Sequence, residues 1–160
     1  MSAVWIIWLL IVADRDFRLR RIPNWLVAGG AGLSILVLLI RQQPFGVNWS
    51  TVIAGGLLAF GFMLIFYVLK VMGAGDVKLA GAMGLWVGIT PLFPIWVGAS
   101  LLAGLHAIFF LALRRWPVFP RLAMALAGAE REENSNRVRK RPIPYGAYLA
   151  ISGIIWTLVR

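Results

Sequence analysis

Two residue types in this chain have the chemistry for a reactive site, carboxylates and a single histidine, and both stand in a strongly apolar setting. Asp76 lies inside Gly73-Ala74-Gly75-Asp76-Val77-Lys78, a polar break between two long hydrophobic stretches. An ionisable group at such a boundary is costly unless it is partnered, so Asp76 calls for a second group. Asp14 and Asp16, at the end of the first apolar run, are the candidates. Two carboxylates held close in a poorly hydrated site cannot both ionise, so they share a proton and titrate as a coupled pair. The charged member can activate water and the neutral one can protonate a scissile carbonyl oxygen, which is aspartic protease chemistry without a metal. Residues two apart on a helix point about 200° from each other, so only one of Asp14 and Asp16 faces a bundle interior. Spacing alone does not choose between them.

Two other readings use the same residues. In one, Asp14 and Asp16 are solvated among arginines and Asp76 pairs with Lys78 or another interfacial cation. In the other, Asp76 and His106 form the proton relay of a small carrier or channel. A lone histidine in an apolar helix is more often a hydrogen-bonded packing residue than a base. The sequence has no cysteine, which excludes disulfides, a thiol nucleophile and a Cys-ligated zinc site. No cofactor or metal is expected.

The elements that must position these groups are helices. With 61% hydrophobic and 14% charged residues the chain has too little polar surface for a soluble domain, and apolar runs of spanning length recur without strand-like alternation. The expected fold is all-α, a polytopic integral membrane protein forming one domain over residues 1–160. The first run, Ser2 to Ala13, is too short for a hydrocarbon core about 30 Å thick, so its helix should continue through the acidic pair. Pro23 disfavours helix at Ile22, and Asn24 can cap a second span from about Trp25 to Ile40. A third span begins at Ser50-Thr51 and ends near Val71. The fourth follows the Gly73 to Lys78 break and runs to about Ile89, with Asp76, Ala80, Gly84 and Gly88 four residues apart on one face. Pro91 and Pro94 bracket a turn before a fifth span, Ile95 to Leu113. A basic loop over 114–143, with an interfacial helical turn around Leu122 to Ala127, leads to a sixth span from Pro144 to Arg160.

Charge supports this count. Fourteen of the sixteen Lys and Arg residues, and all six acids, fall on one side if six transmembrane helices have both termini outside the cytosol. The net charge of +10 is thus explained by topology and contact with anionic lipid, and nucleic acid is not an expected partner.

Asp16 followed by Ile22-Pro23-Asn24, then Gly73-Ala74-Gly75-Asp76-Val77-Lys78-Leu79 two spans later, resembles the type IV prepilin peptidases, membrane aspartic proteases of the GxGD kind. The segment Ile143-Pro144-Tyr145-Gly146 before the last span is similar to that family's closing segment. The resemblance implies that Asp16 and Asp76 are the catalytic pair, with Asp14 a neighbour that either tunes the site or is merely solvated. It further implies that Gly73 and Gly75 admit close backbone approach, and that Lys78 steadies a carboxylate or binds lipid phosphate. The implied substrate is a prepilin, a single-span protein whose short basic leader is cut at the cytosolic face of the prokaryotic inner membrane. Longer members carry paired Cys-x-x-Cys motifs and also methylate the product. The compact, cysteine-free pattern here looks like the peptidases of tight-adherence, or Flp, pilus systems.

Overall fold

The structure, a computed structural model, describes residues 2–115 and 144–160. Its six helices are α1 (Ser2–Leu19), α2 (Asn24–Leu39), α3 (Trp49–Val68), α4 (Ala74–Val87), α5 (Leu92–Arg115) and α6 (Tyr145–Val159). The first helix does run through Asp14 and Asp16. The fifth starts three residues earlier than the prolines suggested, because Pro94 falls in its first turn, where a missing N–H costs nothing. From residue 116 onward the expected basic loop, with its helical turn at Leu122 to Ala127, lies outside the described residues. Trp49–Val68 and Leu92–Ala112 are long and apolar enough to cross a membrane, while α2 and α6 are shorter apolar helices.

Helix ends follow local chemistry. Asn48 caps α3 by accepting the Thr51 backbone N–H at 3.0 Å, and the Thr51 hydroxyl answers the Asn48 N–H at 3.1 Å. Helices α2 and α3 close on Arg41 and Lys70, both with positive φ, and the N–H groups of Gln42 and Val71 reach back to the carbonyls of Val37 and Phe66. A basic residue takes the place glycine usually fills there, and its charge suits the negative end of the helix dipole.

Helix α4 lies between α2 and α3 on one side and α6 on the other, and α6 is flanked by α1 and α5. Ten of the fourteen α4 residues are buried, so this short helix is enclosed on most of its faces. Small residues allow that enclosure. A methyl group on Gly55 of α3 would sit 2.7 Å from the Gly84 carbonyl oxygen, and one on Gly84 would run into the Gly55 carbonyl. The Gly84 and Gly88 end of the stripe expected from Asp76 to Gly88 therefore lies in the α3–α4 seam.

On the opposite side Trp5 and Trp8 of α1 meet Trp86 of α4, with ring centroids 5.5 Å and 6.4 Å from it. Their indole N–H groups are satisfied: Trp8 donates to the Leu26 carbonyl at 2.9 Å and Trp86 to the Gly30 carbonyl at 2.8 Å. Within Ala28 to Gly32 only Gly30 is pressed, against the Trp8 ring, whereas Gly29 and Gly32 face open space. Ser34 and Ser152 tie neighbouring helices through carbonyls of Leu85 and Ile95. Outside this core, Leu101, Leu105, Ile108 and Leu111 of α5 are each more than 60% exposed, an apolar face that suits a hydrocarbon solvent.

Candidate active site

Asp16 and Asp76 are buried, at 5% and 8% exposure, although one closes α1 and the other opens α4. Asp14 is not with them. It points outward and pairs with Arg18 one turn on, at 2.6 Å, as the opposite pointing of residues two apart on a helix requires. Asp16 instead reaches α6. Its Oδ2 accepts the backbone N–H of Ala147 at 2.8 Å, supplying the N-terminal cap that Pro144 has no side chain to provide. Asp76 occupies the first turn of α4, where exposed N–H groups and the helix dipole favour a carboxylate.

The two acids meet at Gly146. A methyl group there would lie 3.1 Å from Asp16 Oδ2, 3.1 Å from Asp76 Oδ1 and 2.5 Å from Ile22 Cδ1. The two carboxylate oxygens are thus no further apart than twice 3.1 Å, and both come this close to the α6 backbone because residue 146 has no side chain. Two carboxyl groups within that range can act on one substrate group through a shared water.

Ile22, Pro23 and Asn24 fasten the α1–α2 turn around this point. The Ile22 side chain lies between the first turns of α4 and α6, within 3.6 Å of where a Gly75 methyl would stand. Pro23 starts α2 with φ −67° and ψ 140°. Asn24 does not cap that helix as expected, since Pro23 precedes its first turn and no side-chain cap is made. Its Oδ1 accepts from Lys78 Nζ at 3.1 Å, joining α2 to α4. Lys78 follows Asp76 by two residues, so the ammonium projects from the exposed side of α4 while the carboxylate is buried. Gly73 is buried and extended ahead of α4, and Gly75 has ordinary room for a methyl group, so helix packing does not demand glycine at 75.

His106 is placed against α6: its Nδ1 shares a 2.7 Å hydrogen bond with the Tyr148 hydroxyl. Tyr148 stacks edge-on against Phe17 at 6.0 Å and feels the charges of Asp16 and Arg20. Tyr145, within electrostatic reach of Asp76, shares a 3.2 Å hydrogen bond with Ser100 of α5. Gly146 and Ala147 therefore touch the acids, with Tyr145 and Tyr148 beside them in the first turn of α6, and sequence reasoning did not single them out as site residues. A signal was present, because Pro144-Tyr145-Gly146 opens a helix with no Ser, Thr, Asp or Asn to cap it, which implies a cap supplied from elsewhere. Among the described residues no three His, Cys, Asp or Glu side chains gather as a metal site would require.

A model of the type IV leader peptidase family matches residues 3–108, a stretch that holds both acids, Ile22-Pro23-Asn24 and the glycine-flanked Asp76. The chain belongs to the type IV leader peptidase family. Among its relatives, a prepilin leader peptidase/N-methyltransferase of Legionella pneumophila is 29% identical over 162 residues, covering 97% of this chain and 47% of its own length. One of the same description from Aeromonas salmonicida (strain A449) is 30% identical over 121 residues, covering 74% of this chain and 34% of its own. The chain thus spans about half or less of the length of the curated relatives it matches. No solved structure matches it.

Proposed function

We propose that this leader peptidase family member is a membrane-embedded aspartic endopeptidase that removes the short basic leader of a Flp-like type IV prepilin, with Asp16 and Asp76 as its catalytic pair. The observation that carries the reading is Gly146. Because it has no side chain, an oxygen of each buried acid, from helices far apart in sequence, can approach the same point of the α6 backbone. Four further features support it: the family match, the exclusion of Asp14, the engagement of Lys78 by Asn24, and the engagement of His106 by Tyr148.

In the reaction the charged carboxylate takes a proton from a water held between the pair, and that water's oxygen attacks the scissile carbonyl carbon. The protonated carboxyl gives its proton to the carbonyl oxygen, forming a neutral gem-diol. Collapse breaks the C–N bond as the carboxyl that took the water proton gives it to the leaving nitrogen and the other carboxylate takes a proton from a gem-diol hydroxyl, so the pair again shares one. Ala147 N–H holds Asp16 in place throughout.

Six spans with both termini outside the cytosol would put the pair at the cytosolic face of the inner membrane, beside the leader of a single-span substrate. The test is reconstitution in lipid with a prepilin. Asp16→Asn and Asp76→Asn abolish leader removal, while Asp14→Asn does not. Undiminished cleavage by Asp76→Asn overturns the assignment.

A further inference from the structure

A second concave feature lies away from the acids, on the outward side of α4. Helices α2, α3 and α4 enclose an open groove of about 510 Å³ whose walls are apolar, among them Val27, Ala31, Ile53, Leu57 and Leu85. Gly56 and Gly81 lie on its lining where α3 and α4 pass each other, one turn of α4 from the tighter Gly55–Gly84 contact. Its two hydrogen-bonding side chains, Asn24 and Lys78, sit together at one end, and the 3.1 Å bond between them fixes the ammonium at the mouth. The uncapped N-terminus of α2 adds the positive end of a helix dipole there, since Asn24 is its first residue.

We propose that this groove binds one acyl chain of an anionic phospholipid, with the headgroup phosphate on Lys78. Charge and the placing of polarity select that occupant. The ammonium has three donors and spends one on Asn24, leaving two for phosphate oxygens. A prepilin leader is basic and would be repelled by the same lysine. The lining is apolar except at the end that holds Asn24 and Lys78, so a ligand with an anionic head and a hydrocarbon tail matches the groove along its length. The proposal goes beyond the protease reading and is tested without measuring activity.

The purified full chain is titrated in neutral detergent with phosphatidylglycerol and, separately, phosphatidylcholine, and retained lipid is counted by native mass spectrometry. The wild type holds one phosphatidylglycerol in preference to phosphatidylcholine. Lys78→Gln weakens the anionic lipid about fivefold and leaves the neutral one unchanged, while Lys78→Arg restores it. Ala28→Phe fills the groove from its exposed side and removes both lipids, with helix content by circular dichroism checking the fold. Because the chain has no cysteine, Ile53→Cys can carry a photo-crosslinker into the groove. In anionic vesicles a lipid adduct is expected. Equal binding of the two lipids, unchanged binding by folded Lys78→Gln, or an adduct to a prepilin or to a second copy of the chain overturns the proposal.

Discussion

Gly146→Ala tests the geometry of the acid pair more sharply than removing either acid. The new methyl group would stand 3.1 Å from one oxygen of each carboxylate and 2.5 Å from Ile22 Cδ1, where ordinary contacts begin near 3.4 Å. Each carboxylate must retreat by a few tenths of an ångström, and Ile22 must turn aside by about 1 Å. The stability cost is modest, because overpacking of about 1–3 kcal/mol is offset by the roughly 0.5–1 kcal/mol that alanine gains over glycine inside a helix. The catalytic cost is separate. Misplacing reacting groups by about 1 Å is worth about 100-fold in rate, so shifts of a few tenths of an ångström in both carboxylates should lower leader cleavage by roughly 3- to 10-fold in a protein that still folds. The assay is a time course of prepilin cleavage in reconstituted vesicles, with thermal unfolding of the same samples in micelles. Gly75→Ala is the paired control, since its methyl meets Ile22 at an unforced 3.6 Å. That variant keeps wild-type stability, and any loss of cleavage it shows reports on the substrate's approach. Full activity in Gly146→Ala at unchanged stability would refute the convergence of the two acids on this glycine.

Other substitutions separate packing from chemistry. Gly84→Ala drives a methyl into the Gly55 carbonyl, and with backbone on both sides the cost lies near the top of the about 1–3 kcal/mol range, read as a lower unfolding temperature. Gly32→Ala, facing open space, leaves that temperature unchanged or slightly raised. Tyr148→Phe removes the hydroxyl bonded to His106 and costs about 0.5–1.5 kcal/mol while cleavage continues, whereas a proton relay through His106 would show its loss as lost function. Asp14→Asn breaks an exposed i,i+4 pair and shifts stability by no more than about 0.5 kcal/mol.

The helices were legible because their apolar runs are long and their breaks carry Pro, Gly or charge, and the four-residue spacing from Asp76 through Gly88 revealed the face whose Gly84 and Gly88 end lies in the α3–α4 seam. The opposite orientations of Asp14 and Asp16 were legible too, as a consequence of helical pitch. Which of them turned inward was not, since that depends on where α6 lies relative to α1, a contact across 131 residues of sequence. Asn24 misled for a similar reason. Its residue type suits a cap, yet a lysine 54 residues away claimed the side chain, and Pro23 already gave the chain an extended entry into α2. Gly146 was invisible as a site residue because its role is the absence of atoms, and an absence has meaning only once its neighbours are in place.

The depth of Asp76 is set mainly by contacts far from it. Helix α4 is about 21 Å long, shorter than a hydrocarbon core of about 30 Å, and would expose unpaired backbone groups at its ends if it met lipid directly. Enclosure by α2, α3 and α6 removes that cost, and it demands small residues wherever backbones touch. Eight residues beyond Asp76, Gly84 locks against Gly55, and Trp86 bonds the Gly30 carbonyl on the other side. A slide of α4 by one turn would lose both contacts together. The carboxylate is therefore held at one level by a glycine seam and a tryptophan about 12–15 Å away along the helix. Asp16 is held at the same level independently, by its bond to the first turn of α6. In the proposed mechanism each acid is held by its own helix contacts near the bare Gly146, which limits the reorganisation that acid–base catalysis by a carboxyl pair would demand.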